Sequence, residues 1–279
     1  MPRAIRATQI PAILILVAWL QLPLLAEPVA VRHIEGLVHG FLVLSTLDGK
    51  PLAQGDLIQT SVNDKVSNHL VFRFRDGSIR DERTVFSQHG AFRLLSYRLT
   101  QKGPAFKRPM EMTFDSQSGV VTVNYTERDG KQKVATDRLE LTPDLANGII
   151  FTLIKNILPE GPPARVSMVV ATPKPRLVKL AITPQGQEPF SVGGTKRMAI
   201  RYVLKIEIGG VAGAIAPLLG KQPPEIHIWA LGGEAPAFVK MEGPLYDGGP
   251  PWRIELASPV WPTAGSGQAG TAKKTVSKK

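Results

Sequence analysis

The sequence predicts a mainly β protein, a curved antiparallel sheet that meanders like a half-barrel, with one apolar helix packed on it. Three observations carry that expectation. Apolar or alternating stretches recur about every ten residues. Turn signals such as Asp48-Gly49, Asp76-Gly77 and Arg128-Asp129-Gly130 separate them. A single Leu/Ile-rich block, Thr142 to Leu158, interrupts the β pattern.

Taken in order, the chain opens with Arg3 and Arg6, then an apolar run from Ile13 to Leu25, then Ala26-Glu27-Pro28. A basic start, an apolar core too short for a comfortable span and a small residue at the exit read as a secretory signal peptide over residues 1–26. Ala30 is an alternative exit. Gln21 and Pro23 interrupt the run and weaken it as a permanent anchor. The protein is expected to be exported, to a periplasmic or secreted setting.

Residues 27–261 read as one antiparallel β domain. Its first strands are Val38–Leu47, Leu57–Val62, His69–Arg75, Ile79–Phe86, Ala91–Thr100, Met110–Phe114, Val120–Thr126 and Gln132–Ala135. The fourth has uneven faces, with Arg80, Glu82 and Thr84 on one side and Ile79, Arg83 and Val85 on the other. Thr142-Pro143-Asp144 is a capped start for a helix of about 16 residues over 143–158. Pro159-Glu160-Gly161-Pro162-Pro163 ends it, and Gly148 inside it is unfavourable.

The β pattern returns over Arg165–Ala171, Arg176–Thr183 and Lys196–Ile208. Residues 209–220 form a small-residue apolar stretch, far too short to span a bilayer. Glu225–Leu231, Ala237–Glu242 and Trp252–Ala257 close the domain. Residues 262–279 lack apolar periodicity and read as a disordered, Lys-rich tail.

Composition excludes several function classes. The chain has no cysteine, so disulfides, thiolate metal sites, cysteine nucleophiles and an acylated cysteine anchor are all absent. The formal charge is +11, and removing the two leader arginines and four tail lysines leaves +5 on the body. That is an ordinary surface, and export separates it from chromosomal nucleic acid, so no nucleic-acid partner is expected. The residual basicity suits peripheral contact with anionic lipid.

The strand meander through Met112-Thr113-Phe114-Asp115-Ser116-Gln117-Ser118-Gly119, followed by Asp137-Arg138-Leu139 and a Leu/Ile-rich helix, resembles an uncharacterised group of exported bacterial proteins. In outline that group is similar to the half-barrel envelope carriers of the LolA type. The likeness covers about residues 31–208. It implies a helix over the concave face of a curved sheet, with an apolar cavity between them, and carries over no catalytic residue. The Gly-Pro-rich segments 209–224 and 242–253 look like a segment of uncharacterised exported proteins and lie outside the carrier template.

Candidate chemistry is sparse. His33, Glu35 and His39 would share one strand face, but the two histidines would stand about 20 Å apart. No metal and no cofactor are expected. Neither a Gly-x-Ser-x-Gly elbow nor a phosphate-binding or dinucleotide glycine pattern occurs. Asp76, Asp81, Glu82 and Asp247 would supply paired carboxylates to a hydrolase. Arg73, Arg75, Arg80 and Arg83 flank one hairpin, read as the solvated face of an edge hairpin or as an anion-binding stripe. Tyr246 and Trp252 lie in a Gly-Pro-rich loop, Gly243–Arg253, and with Trp229 and Trp261 would either grip a ligand at a rim or plug one end of the sheet.

The leading expectation is a non-enzymatic exported protein that binds an apolar, lipid-like molecule or an envelope protein partner. Ile149, Phe151, Leu153 and Ile154 from the helix, with Tyr246 and Trp252, are the expected ligand-binding residues. The alternatives are a hydrolase acting on an envelope polymer and an assembly partner without a small ligand.

Overall fold

The computed structural model describes residues 27–127, 129–192, 195–207 and 223–257. The leader, the 209–220 stretch, Trp261 and the Lys-rich tail lie outside these residues. The first half is a meander of eight strands: β1 (Val38–Thr46), β2 (Pro51–Val62), β3 (Lys65–Phe74), β4 (Ile79–His89), β5 (Ala91–Lys102), β6 (Met110–Asp115), β7 (Val120–Thr126) and β8 (Gln132–Arg138). A short helix, α1 (Ile150–Ile154), follows. The second half adds β9 (Ala164–Val170), β10 (Arg176–Val192), β11 (Thr195–Glu207), β12 (Ile226–Leu231), β13 (Ala237–Pro244) and β14 (Pro251–Leu256).

All fourteen strands form one antiparallel sheet, in the order β8 down to β1, then β14 down to β9. Every neighbour is a sequence neighbour except β1 and β14, which pair from Leu42 opposite Leu256 to Thr46 opposite Trp252. The sheet's two edges are therefore β8 and β9, which are consecutive in sequence and joined by the segment that contains α1.

The sheet is curved. Fourteen strands laid flat would span about 60 Å, yet residues from every strand but β8 belong to one buried apolar cluster. The register slips that mark bulges fall in β1–β2, β4–β5, β10–β11 and β12–β13. Bulges bend and twist the strands they interrupt. Gly55 adds a close approach: a Cβ there would lie 2.8 Å from Leu42 Cβ and would also meet the Phe72 ring.

The two edges are protected differently. β8 is almost wholly exposed and carries Lys133, Asp137 and Arg138, charges that discourage pairing with another chain. β9 is covered by residues 144–147. The Ala146 N–H donates to the Ser167 carbonyl at 2.8 Å, and the Ser167 N–H donates to the Asp144 carbonyl at 3.1 Å. The Asn147 side chain bonds both the N–H and the C=O of Val169 at 2.9 Å.

This edge pairing shortens the expected 143–158 helix to the five residues of α1. Residues 144–147 spend their hydrogen bonds on β9, and the Asp144 carboxylate accepts from the Ser167 hydroxyl instead of capping a helix. Gly148 then adopts φ +71°, which a right-handed helix cannot contain. α1 begins only after that turn.

Both ends of the curved sheet are closed. At one, the segment before β1 folds across the strands: Phe92 donates to the Val29 carbonyl and Val31 to that of Gly90. Glu35, 5% exposed, is bonded there by Lys155 at 2.6 Å and by the Gln59 amide at 2.9 Å. Residues 33–37 thus precede β1 and form no strand face shared with His39. At the other end Phe74, Phe106, Tyr246 and Trp252 pack ring against ring at centroid distances of 5.4–5.8 Å.

Candidate functional site

Inside the curve, a cavity of about 720 Å³ separates β4, β5 and β6 from β9, β10 and β11. Leu99 and Met112 form one wall; Met168, Leu177 and Ile206 form the other. Exposed Arg176, Lys179 and Asp247 mark its opening. Its volume falls in the range of about 300–1,000 Å³ that small-molecule sites occupy.

A buried polar cluster on the wall comes from β4 and β5. Successive strand residues alternate faces, so Arg80, Glu82 and Thr84 all point inward and are buried. Arg80 Nη1 donates to Glu82 Oε2 at 2.8 Å, and Nη2 lies 3.5 Å from Oε1. The Tyr97 hydroxyl donates to Glu82 Oε1. Gln101, 2% exposed, stands directly across from Arg80 in the β4–β5 ladder.

Electrostatics keep this cluster in one charge state. Burial pushes the Glu82 carboxyl up, but the Arg80 charge and the hydrogen bonds from Arg80 and Tyr97 outweigh it and hold it below the ordinary range. Burial opposes the Arg80 charge as well, and Glu82 more than offsets it. Burial and the neighbouring Glu82 charge push the Tyr97 hydroxyl well above its ordinary value. The pair is ionised and Tyr97 is a neutral donor throughout the physiological range.

The expected ligand-binding residues fall in three places. Tyr246 lines the cavity, with its hydroxyl donating to the Ala105 carbonyl at 3.1 Å. Trp252 stands behind it in the aromatic plug, 7% exposed. Ile149 and Leu153 are buried in the core, and Phe151 stacks on Phe238 at 3.9 Å. Ile154 borders a second cavity of about 410 Å³, beside His33 and Tyr202. Trp229 is on the outer face, under Lys240 at 3.8 Å and bonded to Glu188, apart from Tyr246 and Trp252.

The charged residues sort equally clearly. β3 and β4 lie well inside the sheet order, so they are no edge hairpin, and Arg80 faces the interior. Arg80 thus leaves the expected arginine stripe. Asp76 caps the turn at Ser78, Asp81 pairs outward with His69 and Arg83, and Glu82 and Asp247 border the cavity. Among the described residues, no group of three or more His, Cys, Asp or Glu is placed to hold a metal ion. No described helix is long and apolar enough to cross a membrane.

Sequence reasoning missed Arg80, Glu82, Tyr97, Gln101 and Asn147 as cavity residues. A signal was present: Arg80, Glu82 and Thr84 recur with the period of a strand face. Nothing local says that this polar face, and not the mixed one, turns inward.

The chain matches no protein-family model and no curated protein. Among solved structures it is similar to a beta-barrel-like protein of a domain of unknown function, DUF1849, from Brucella abortus. The TM-score is 0.43 and the identity 10%, over 81% of this chain and 98% of that chain. Among the described residues the fold is mainly antiparallel β, one curved open sheet with almost no helix.

Proposed function

We propose that this is an exported, non-enzymatic protein that holds a lipid-like small molecule in the cavity between β4–β6 and β9–β11. The observation that supports the reading best is the cavity, about 720 Å³, with apolar side chains on both walls, a buried polar cluster on β4 and β5, and Arg176, Lys179, Glu207 and Asp247 elsewhere in its lining. Concave, mostly apolar sites with a few convergent polar groups are the usual form of a small-molecule site. The leader-like residues 1–26 support an envelope setting, and the carrier-like meander belongs to the same proposal.

The test is to purify the full chain from an envelope fraction, extract it with organic solvent, and quantify the extract by mass spectrometry. A lipid at near-equimolar ratio is expected, and Leu177→Trp, which fills the cavity, should lower that ratio. Extracts without any stoichiometric small molecule, from wild type and Leu177→Trp alike, would leave the carrier reading without support.

A further inference from the structure

The charged side chains that line the cavity are Arg80, Glu82, Arg176, Lys179, Glu207 and Asp247. Arg80 and Glu82 match each other at 2.8 Å. Lys179 stands across from Glu207 in the β10–β11 ladder, but Glu207 accepts instead from Arg165 at 3.0 Å. That leaves Arg176 and Lys179, exposed on β10, and Asp247, exposed in the loop before β14. All 23 Asp and Glu of the chain lie among the described residues, and among those residues Arg176 and Lys179 have no carboxylate partner. Lys107 brings a further cation beside Asp247, its ammonium donating to the Gly248 carbonyl at 2.6 Å. Asp247 therefore reduces the positive excess at the opening without cancelling it.

We infer that Arg176 and Lys179 form an anion subsite at the mouth of this cavity, and that the ligand of the carrier reading, on which this rests, is an amphiphile with a carboxylate or phosphate head. Its apolar tail would run inward between Leu99 and Met112 on one wall and Met168, Leu177 and Ile206 on the other, where burying each methylene is favourable. Its head would stay at the opening. Carrying a charge into the chamber is costly unless a partner waits there, and the Arg80–Glu82 pair offers no net charge to draw it in. At the mouth the head keeps contact with water and meets a guanidinium fork and an ammonium, the side chains suited to carboxylate and phosphate.

Displacement of diphenylhexatriene, a fluorescent hydrocarbon, from the full chain tests it. The competitors share one tail and differ in head charge: dodecanol, dodecyl phosphate and dodecylamine, each held below its micelle concentration. Each exposed ion pair strengthens binding by up to about fivefold, so two cations should favour dodecyl phosphate over dodecanol by roughly tenfold, with dodecylamine weakest. Arg176→Gln/Lys179→Gln should erase that preference, and Arg176→Glu/Lys179→Glu should turn it toward dodecylamine. Both positions are exposed, and the wild-type series needs no variant at all.

Failure of diphenylhexatriene to bind overturns the carrier reading and the subsite with it. Displacement by dodecanol and dodecyl phosphate at equal concentrations overturns the anionic head alone, as does a wild-type preference for dodecylamine. A phosphate preference that survives Arg176→Gln/Lys179→Gln overturns the assignment to these two residues.

Discussion

Removing one partner of the Arg80–Glu82 pair tests how dry the cavity wall is. The two charges meet at 2.8 Å with the side chains 10% and 11% exposed. Exposed pairs contribute about 0–1 kcal/mol, whereas taking one partner from a buried pair costs about 3–5 kcal/mol, because the other charge stays behind unpaired. Arg80→Met keeps much of the volume and leaves Glu82 with only the Tyr97 hydroxyl. The expected loss is therefore about 3–5 kcal/mol, a large share of the roughly 5–15 kcal/mol that holds a domain folded. Arg80→Met/Glu82→Gln removes both charges and preserves an acceptor for Tyr97, so the double variant should be more stable than Arg80→Met alone. Urea melts of the wild type, both singles and the double close a mutant cycle. Arg80→Met costing under about 1 kcal/mol would place the pair in solvent, and a double variant no better than the single would refute the stranded-charge reasoning.

The same carboxylate sets an acid limit. Its folded-state pKa lies below its unfolded value, so its stabilisation is present above the ordinary carboxyl range and is lost as pH falls through the folded value. Thermal melts at pH 7 and pH 3 should show the difference between wild type and Glu82→Gln shrinking at the lower pH; a constant difference would exclude Glu82 as a titrating contributor. Gly148 is the second sensitive point, because its φ is +71° and a Cβ there would collide with Thr84 Oγ1 and press on Tyr97. Gly148→Ala should cost about 2 kcal/mol or more, partly recovered by Thr84→Ala in a denaturant titration, and a neutral Gly148→Ala would mean that the 144–149 turn is not held against β4.

How the sequence maps to this fold depends on range. The meander was legible because strand alternation and turn residues such as Asp48-Gly49 and Asp76-Gly77 are local properties. The helix was only partly legible. Its apolar content is real, but Asn147 and residues 144–146 find better partners on the edge of β9, twenty or so residues away in sequence. The aromatic loop was recognised by composition, while its division into Tyr246 on the cavity wall and Trp252 in the plug depends on Phe74 and Phe106 from distant strands.

By itself the sequence determined that the chain builds an antiparallel β meander without disulfides, since periodicity, turn residues and the absence of cysteine are fixed by covalent order. Only the tertiary structure decided which face of each strand turns inward and where the sheet has its edges. The pairing of β1 with β14 moves the edges to β8 and β9, and the resulting curl brings β4 opposite β10. That curl turns Arg80 and Glu82 from an expected surface into a cavity wall, because burial and the partners that make it tolerable are supplied by strands remote in sequence.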